Sequence, residues 1–406
     1  MGESYAGAGS KADDASIEFD NPAGMVRIKK QELAVSTVAV NAHSTFKATS
    51  ATNRWGDDVL NTATKTTSHP LTTNYLPAIH YVLPLNQQWY FGFGVTVPFG
   101  LETNYAKDSA ARYFGTDSKI ETVNINPSLA YAFNDHFSFG LGLSAQYIHA
   151  DLDQMVDAAS LAPSKPSTAT NMDAEIDNEA HDWGFGWNAG ILYQFTPNTR
   201  VGLTYRSKIH HNAKGKSKVT IPDSYDEMDK EVLENTYGLK DGDVSTKLDL
   251  PETIVLSGYH DINQAWAMMA SATYTRWRRF KDLTMEFTSG LSDATIHENF
   301  HDTMKYAIGT DYRPNSRTIL RAGLAYDQSP TCNKYRTIPL PDASRQWASL
   351  GLKYMFTKTF AIDLGYAYVH INRGSVDQTS SGNTITGNYR HSYANLFGAQ
   401  LNWVLG

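Results

Sequence analysis

Six short turn segments punctuate this chain, and each ends one aromatic or apolar run and starts another: Pro84-Leu85-Asn86, Asn134-Asp135, Pro197-Asn198, Asp261-Ile262-Asn263, Pro314-Asn315 and Thr357-Lys358-Thr359. Proline presets its own φ, and short Asn, Asp and Thr side chains accept from nearby backbone amides, so such clusters close hairpins. Each turn is flanked by two strands. With the runs over residues 33–41 and 393–404, the chain reads as about fourteen strands.

Alternation within the runs sets what each face meets. Leu320, Ala322, Leu324 and Tyr326 fall on one face, against Arg321, Gly323 and Ala325 on the other. Trp183, Phe185, Trp187, Ile191, Tyr193 and Phe195 likewise oppose Gly184, Gly186, Asn188, Gly190 and Gln194. A two-residue period, strands of about ten residues, tight turns at one end and long loops at the other define a transmembrane β-barrel with its apolar face toward lipid. The mean hydropathy is -0.41, and no run approaches the ~20 apolar residues of a spanning helix, which excludes a helical membrane protein. A soluble sandwich alternates too, but its turns would be of similar length at both ends. The expected fold is therefore all-β, a transmembrane antiparallel barrel whose closure satisfies every strand amide.

Charge and chemistry narrow the function. Thirty-five Lys and Arg against 42 Asp and Glu leave a net charge of -7 with no basic stripe, which argues against nucleic acid as a partner. The single cysteine, Cys332, forms no internal disulfide. The pair His210-His211 reads as exposed loop, and no Cys/His/Asp spacing suits a metal. No serine can be assigned to His149 as a nucleophile, so neither enzyme activity nor a cofactor is expected. Residues 1–15 lack a basic leader and an apolar segment, as in a mature or trimmed chain, and both chain ends are expected on the short-turn, periplasmic side. Residues 2–27 alternate poorly, are rich in Gly, Ala, Ser and Asp, and contain Asn21-Pro22-Ala23. Proline fixes φ and pushes its predecessor to extended geometry, so this piece is expected to be irregular or short-helical and to tuck into the lumen. The expected division is a plug over 1–31 and a barrel over 32–406, acting as a monomer.

Tyr5-Ala6-Gly7, Ala12-Asp13-Asp14-Ala15, Asn21-Pro22-Ala23, Phe99-Gly100-Leu101, Ser138-Phe139-Gly140-Leu141-Gly142, Leu203-Thr204-Tyr205-Arg206-Ser207, Leu250-Pro251-Glu252 and Asp327-Gln328-Ser329-Pro330 occur here in order. In this set, and over nearly its whole length, the chain resembles the outer-membrane long-chain fatty-acid transporters of the FadL family. The resemblance implies a fourteen-stranded barrel closed by an N-terminal hatch at Asn21, Pro22 and Ala23. It further implies passive uptake of long-chain fatty acids or similar hydrophobic small molecules, captured between the third and fourth outer loops and released sideways into the outer-membrane lipid, beneath the lipopolysaccharide, at a kinked third strand. Two departures stand out: the family hatch begins upstream of Met1, and the chain ends Trp403-Val404-Leu405-Gly406 rather than on an aromatic residue.

The residues themselves can be set against that route. Pro98 lacks an amide donor and Gly100 a side chain, so Pro98-Phe99-Gly100 weakens ladder pairing, either as a gap in the wall or as the end of the strand. In the third outer loop, about 151–181, Leu152, Met155, Val156 and Leu161 are the apolar points. In the fourth, about 209–248, Tyr225, Met228, Val232 and Leu233 follow three- and four-residue spacings that suggest a short amphipathic helix. These residues either line a groove or pack the loops together. A carboxylate headgroup needs a cation. Arg206 and Arg321 lie on polar faces by parity, as does Arg317, while the positions where the family supplies basic contacts hold Gln154 and Thr284, with His149 and Lys281 nearby. That difference leaves open a hydrocarbon channel of the same family; a general aqueous porin is the further alternative.

Overall fold

The structure, a computed structural model, describes residues 1–63, 65–162 and 170–405. Fourteen strands follow one another around a closed antiparallel barrel: β1 Glu32–Thr52, β2 Thr73–Pro84, β3 Trp89–Thr96 continued by Gly100–Asn104, β4 Asp117–Ala132, β5 Phe137–Leu152, β6 Ala174–Thr196 and β7 Thr199–Arg206 continued by Ile209–Thr220. The circuit goes on through β8 Gly242–Leu250 and Thr253–Asp261, β9 Trp266–Thr275 and Asp282–Phe287, β10 Ala294–His297 and Thr303–Asn315, β11 Thr318–Asp327, β12 Arg345–Met355, β13 Phe360–Ile371 and Gly374–Ser380, and β14 Asn383–Val404. β14 returns to β1 in register from Glu32↔Val404 to Thr52↔Thr384, so the sheet has no free edge there.

The turn chemistry is local and repeats. Asn86 Oδ1 accepts the amides of Gln88 and Trp89 at 2.8 and 2.9 Å. Asn263 does the same for Ala265 and Trp266 at 2.8 and 2.9 Å, and the Thr357 hydroxyl accepts from Thr359 and Phe360 at 3.1 and 3.0 Å. Beside these turns lie the ring pairs Trp89–Tyr131, Tyr193–Phe195, Trp266–Tyr312 and Phe360–Trp403, the aromatic girdle of a membrane interface. Between girdle and outer loops the alternation holds: Phe185, Leu324, Leu350 and Phe397 are exposed on the outer face while Gly184, Gly323, Ser349 and Gly365 are not.

Strand length departs from expectation. β6 spans 23 residues and β14 spans 22, longer than the ~9–11 that cross a bilayer. Much of the expected fourth loop is ladder, with Ile209↔Leu250 through Ser217↔Gly242 paired. One face of that hairpin is buried, but His211, Ser217 and Thr246 stand on it among Ile209, Val244 and Leu248 and hide the pattern. His211 is accordingly a strand residue and fully buried, 3.1 Å from Gln146, while His210 on the opposite face is exposed beside Asp249.

Residues before Glu32 add no strand. They form α1 (Ile17–Asp20) and a 3-10 turn (Pro22–Arg27), and they meet the inner wall all around the circuit. Ser4 meets Ser349, Glu18 accepts from Ser128 at 2.8 Å, and Ser138 donates to Ala23 O at 2.9 Å. Asn21 is fully buried. Its amide donates to Gly9 O at 2.7 Å and Ile191 O at 3.1 Å, and its Oδ1 caps the Ala23 amide. The wall has glycines where the segment comes closest: a Cβ on Gly202 would lie 2.8 Å from Asn21 Nδ2 and nearer still to Gly9 O.

Candidate functional site

The third strand breaks where Pro98 and Gly100 fall. Its inner piece pairs with β4 up to Thr96↔Asn124 and its outer piece resumes at Gly100↔Glu121, so one more residue lies on β3 than on β4. That is a bulge. Thr122 repairs the β4 side: its amide and hydroxyl donate to Phe99 O at 3.1 and 2.9 Å, and the hydroxyl accepts from Phe99 N at 3.0 Å.

Nothing repairs the other side among the described residues. β2 and β3 pair from Pro84↔Tyr90 only to Ile79↔Val95, whereas residues 73–78 of β2 pair with β1 alone. The two strands meet again where Asn104 N donates to Pro70 O at 2.8 Å. Between those points the wall is open, and a Cβ on Gly100 would meet nothing within 4 Å.

Inside this opening lies a cavity of about 20 Å³ lined by Pro98, Phe99, Asn124, Gln146, Arg206 and Leu250, among others. Next to it an apolar cluster joins Ile148, Leu248, Leu250, Phe280, Leu283 and Phe300, with Phe99, Leu152 and Trp277 packed on it. Leu152 and Phe99 were legible from the sequence. Phe280 and Phe300 were not: they follow bends in β9 and β10 and are joined by the ring contacts Phe99–Trp277, Trp277–Phe300 and Phe280–Phe300 and by the Phe300 amide donating to Phe280 O at 3.3 Å.

The expected groove residues divide. Val156, Leu161, Tyr225 and Leu233 pack in one cluster between the third and fourth outer loops. Met155 joins a separate cluster with Phe46, Tyr105 and Ile338. Met228 is 60 % exposed and Val232 half-buried on α2 (Glu227–Asn235), whose N-cap Asp226 accepts from Asp229 N at 2.9 Å.

The candidate cations divide as well. Arg321 lies among Asp13 at 2.9 Å, Glu3 at 3.2 Å, Asp311 at 3.8 Å and a close contact with Asp363. It lines a second cavity of about 310 Å³ between the N-terminal segment and β1, β13 and β14, walled by both charged and apolar residues. His149 lies 3.2 Å from Asp151, and Lys281 is exposed, its carbonyl accepting the amides of Glu298 and Asn299 at 2.7 and 2.9 Å. Arg317 is exposed in a short turn rather than in the lumen. Arg206 remains beside the opening: it donates to Phe19 O at 2.8 Å, Asn126 Oδ1 at 3.2 Å and Ser144 Oγ at 3.3 Å, with its guanidinium over the Phe19 ring. Among the described residues no carboxylate lies within 4 Å of it.

Outside the spanning strands, burial pushes the Glu298 carboxyl up to about 8, opposed only by the Thr337 hydroxyl that donates to it at 2.9 Å. Glu298 Oε2 has no hydrogen-bond partner among the described residues.

A closed membrane barrel with a filled lumen and an interrupted wall defines a class: outer-membrane transport proteins that move their cargo through the barrel. Residues 1–404 match the family model described as outer membrane protein transport protein (OMPP1/FadL/TodX). The chain is 32% identical over 417 residues to a long-chain fatty acid transport protein of Salmonella typhi, covering 100% of this chain and 91% of the relative. Outer membrane protein P1 of Haemophilus influenzae is 30% identical, covering 99% and 92%. A crystal structure of a Pseudomonas aeruginosa FadL homologue superposes with a TM-score of 0.90 at 26% identity, covering 100% of this chain and 97% of that one. The toluene transporter TodX of P. putida, at 18% identity and a TM-score of 0.70 over 100% and 99%, shares the fold. The chain belongs to the OMPP1/FadL/TodX family of outer-membrane transporters of long-chain fatty acids and hydrocarbons.

Proposed function

We propose that this protein takes up long-chain fatty acids, or hydrophobic molecules of like shape, passively across the outer membrane. The observation that carries the proposal is the opening between β2 and β3, bounded by Ile79↔Val95 below and by the Asn104 to Pro70 hydrogen bond above. An unpaired wall segment at a bulge has no structural use and costs ladder bonds, whereas a lateral exit requires one. The third and fourth outer loops, packed on each other through Tyr225 and Leu233 with Met228 exposed on α2, present the capture surface, the apolar cluster of Phe280 and Phe300 receives the chain, and residues 1–31 act as the hatch.

Energetics explain the arrangement. Burying a sixteen-carbon chain at ~0.8 kcal/mol per CH₂ yields roughly 12 kcal/mol, so a rigid pocket would hold its cargo; a side exit lets the chain move from protein to lipid without crossing water. An aqueous porin fits less well, because the N-terminal segment occupies the lumen and approaches the wall closely at Gly140, Gly190, Gly202 and Gly323. A neutral hydrocarbon as cargo is favoured by one observation: His149 is held beside Asp151 and Lys281 points to solvent, so neither offers a free cation in the outer groove.

The test is saturable binding of a fluorescent long-chain fatty acid to the purified barrel, with uptake measured in Gly100→Val and Asn21→Ala. Binding retained with uptake lost in both supports capture followed by lateral release. No binding, with toluene or an alkane binding instead, moves the cargo to hydrocarbons; free passage of sugars moves the function to a porin.

A further inference from the structure

Charge is unevenly shared around the outside of the barrel, although the chain as a whole carries -7. Residues 33–52 of β1 and the whole of β14 contain no Asp or Glu, and on the outer piece of β13 Asp377 is the one exposed carboxylate. The same three strands carry Lys47, Arg373 and Arg390, all exposed, and among the described residues none of the three has a carboxylate within 4 Å. Elsewhere on the wall Lys119 pairs with Glu121 at 3.0 Å and Lys216 with Asp243 at 2.5 Å.

The ladder gathers these cations. Lys47 opposes Asn388, Thr45 opposes Arg390, and Gly374, which follows Arg373, opposes Tyr389. Between His43↔Tyr393 and Thr45↔Arg390 one residue of β1, Ser44, faces two of β14, His391 and Ser392. That is a bulge, and such bulges re-aim side chains. His391 takes a φ of 51° there, a left-handed conformation that strains a non-glycine residue. The result is that Arg390 and His391, consecutive in the chain, are both exposed, where a regular strand would turn one of them inward. His43 stands beside them, its ring 5.4 Å from that of His69 and 5.2 Å from that of Tyr393, and His370 opposes Tyr393.

The height of the patch identifies what it meets. Tyr393 and Trp403 share the outer face of β14, and the span between them, at ~3.4 Å per residue on a strand tilted by about 40°, is about 25 Å, the apolar band of a membrane barrel. Within that band Leu364, Tyr366 and Phe397 are exposed to lipid. Lys47, Arg373 and Arg390 therefore sit immediately beyond the hydrocarbon, at the level of the outer-leaflet headgroups, where clustered cations attract phosphate.

We propose that Lys47, Arg373, Arg390 and His391 form a docking site on the outer wall for a phosphorylated lipid of the outer leaflet, the phosphoglucosamine headgroup of lipopolysaccharide. The guanidinium groups and the ammonium pair with its phosphates, His391 adds a hydrogen bond, and its acyl chains lie on Leu364, Tyr366 and Phe397. A soluble acidic partner would have no use for the apolar face beneath the cations. The site straddles the seam where β14 closes on β1, so a lipid held there ties the last strand to the first.

The test titrates the purified full chain in detergent micelles with lipid A bearing both phosphates and with the same lipid A dephosphorylated, and counts bound lipid by native mass spectrometry. The phosphorylated form should bind more tightly, and Lys47→Gln, Arg373→Gln and Arg390→Gln should each weaken it about fivefold without changing the weaker binding of the dephosphorylated form. Arg390→Lys should retain most of the affinity, and Lys216→Gln, away from the patch, all of it. Phosphorylated lipid A should also raise the temperature at which the folded band is lost in heat-dependent gel migration, in the wild type and not in the triple Gln variant. Equal binding of the two lipids, or displacement by millimolar inorganic phosphate, overturns the lipid headgroup as occupant. A folded triple variant that binds phosphorylated lipid A as the wild type does, or an equal loss in Lys216→Gln, overturns the location.

Discussion

Gly202→Ala isolates what the N-terminal segment does. The new Cβ would overlap Gly9 O and lie 2.8 Å from Asn21 Nδ2, and the nearest of these contacts is backbone, which cannot swing away. Overpacking costs about 1–3 kcal/mol. Displacement also breaks the two hydrogen bonds that Asn21 donates, to Gly9 O at 2.7 Å and Ile191 O at 3.1 Å, at about 1 kcal/mol each. The sum, about 3–5 kcal/mol, shifts the balance between docked and undocked segment by a factor of roughly 10²–10⁴. The barrel ladder should survive, because β7 keeps its backbone pairs with β6 and β8. The assay is conductance in planar bilayers together with hydrogen exchange over residues 4–25. The control is Gly258→Ala, paired with Val201 next door, where a Cβ meets nothing within 4 Å. Conductance and exchange should rise in Gly202→Ala and stay at the wild-type level in the control. If the two variants behave alike, the segment is not held by this contact and its role as a hatch loses its support.

Glu298 predicts a pH dependence in the outer loops. Its folded value, about 8, lies above the ordinary carboxylate range, so the folded loop binds the proton more tightly than the unfolded chain. The stabilisation is therefore complete below about pH 4 and is lost as pH rises through about 8. Exchange over residues 331–342, corrected for the intrinsic rate, should accelerate across that window, and Glu298→Gln should flatten it; a wild-type profile without a step refutes the assignment. Cys332, free and exposed in the long loop after β11, should react with a membrane-impermeant maleimide on intact cells, whereas a cysteine placed at Asn134 in a short turn should react only after the outer membrane is opened. Labelling at Asn134 alone would invert the topology.

Much of this protein is determined locally. The hairpin turns were legible because Asn86, Asn263 and Thr357 each satisfy amides two or three residues on, and the lipid face was legible because a period of two needs no knowledge of the partner strand. Side-chain parity likewise put Arg206 and Arg321 in the lumen. The same reasoning was not carried through residues 209–220 and 242–250, where the buried face mixes His211, Ser217 and Thr246 with Ile209, Val244 and Leu248 and so blurs the period although the ladder persists.

Tertiary structure alone decided the rest. Which lumen arginine is ringed by carboxylates depends on Glu3 and Asp13 of the N-terminal segment, Asp311 of β10 and Asp363 of β13 converging on Arg321. Pro98 and Gly100 signal a weak point, but that it is an opening depends on β2 losing its partner beyond Ile79 and on Asn104 reaching Pro70. Closing a barrel fixes one stagger for every strand at once, so contacts such as Ser4 with Ser349, 345 residues apart, follow from the whole ring and from no segment of it.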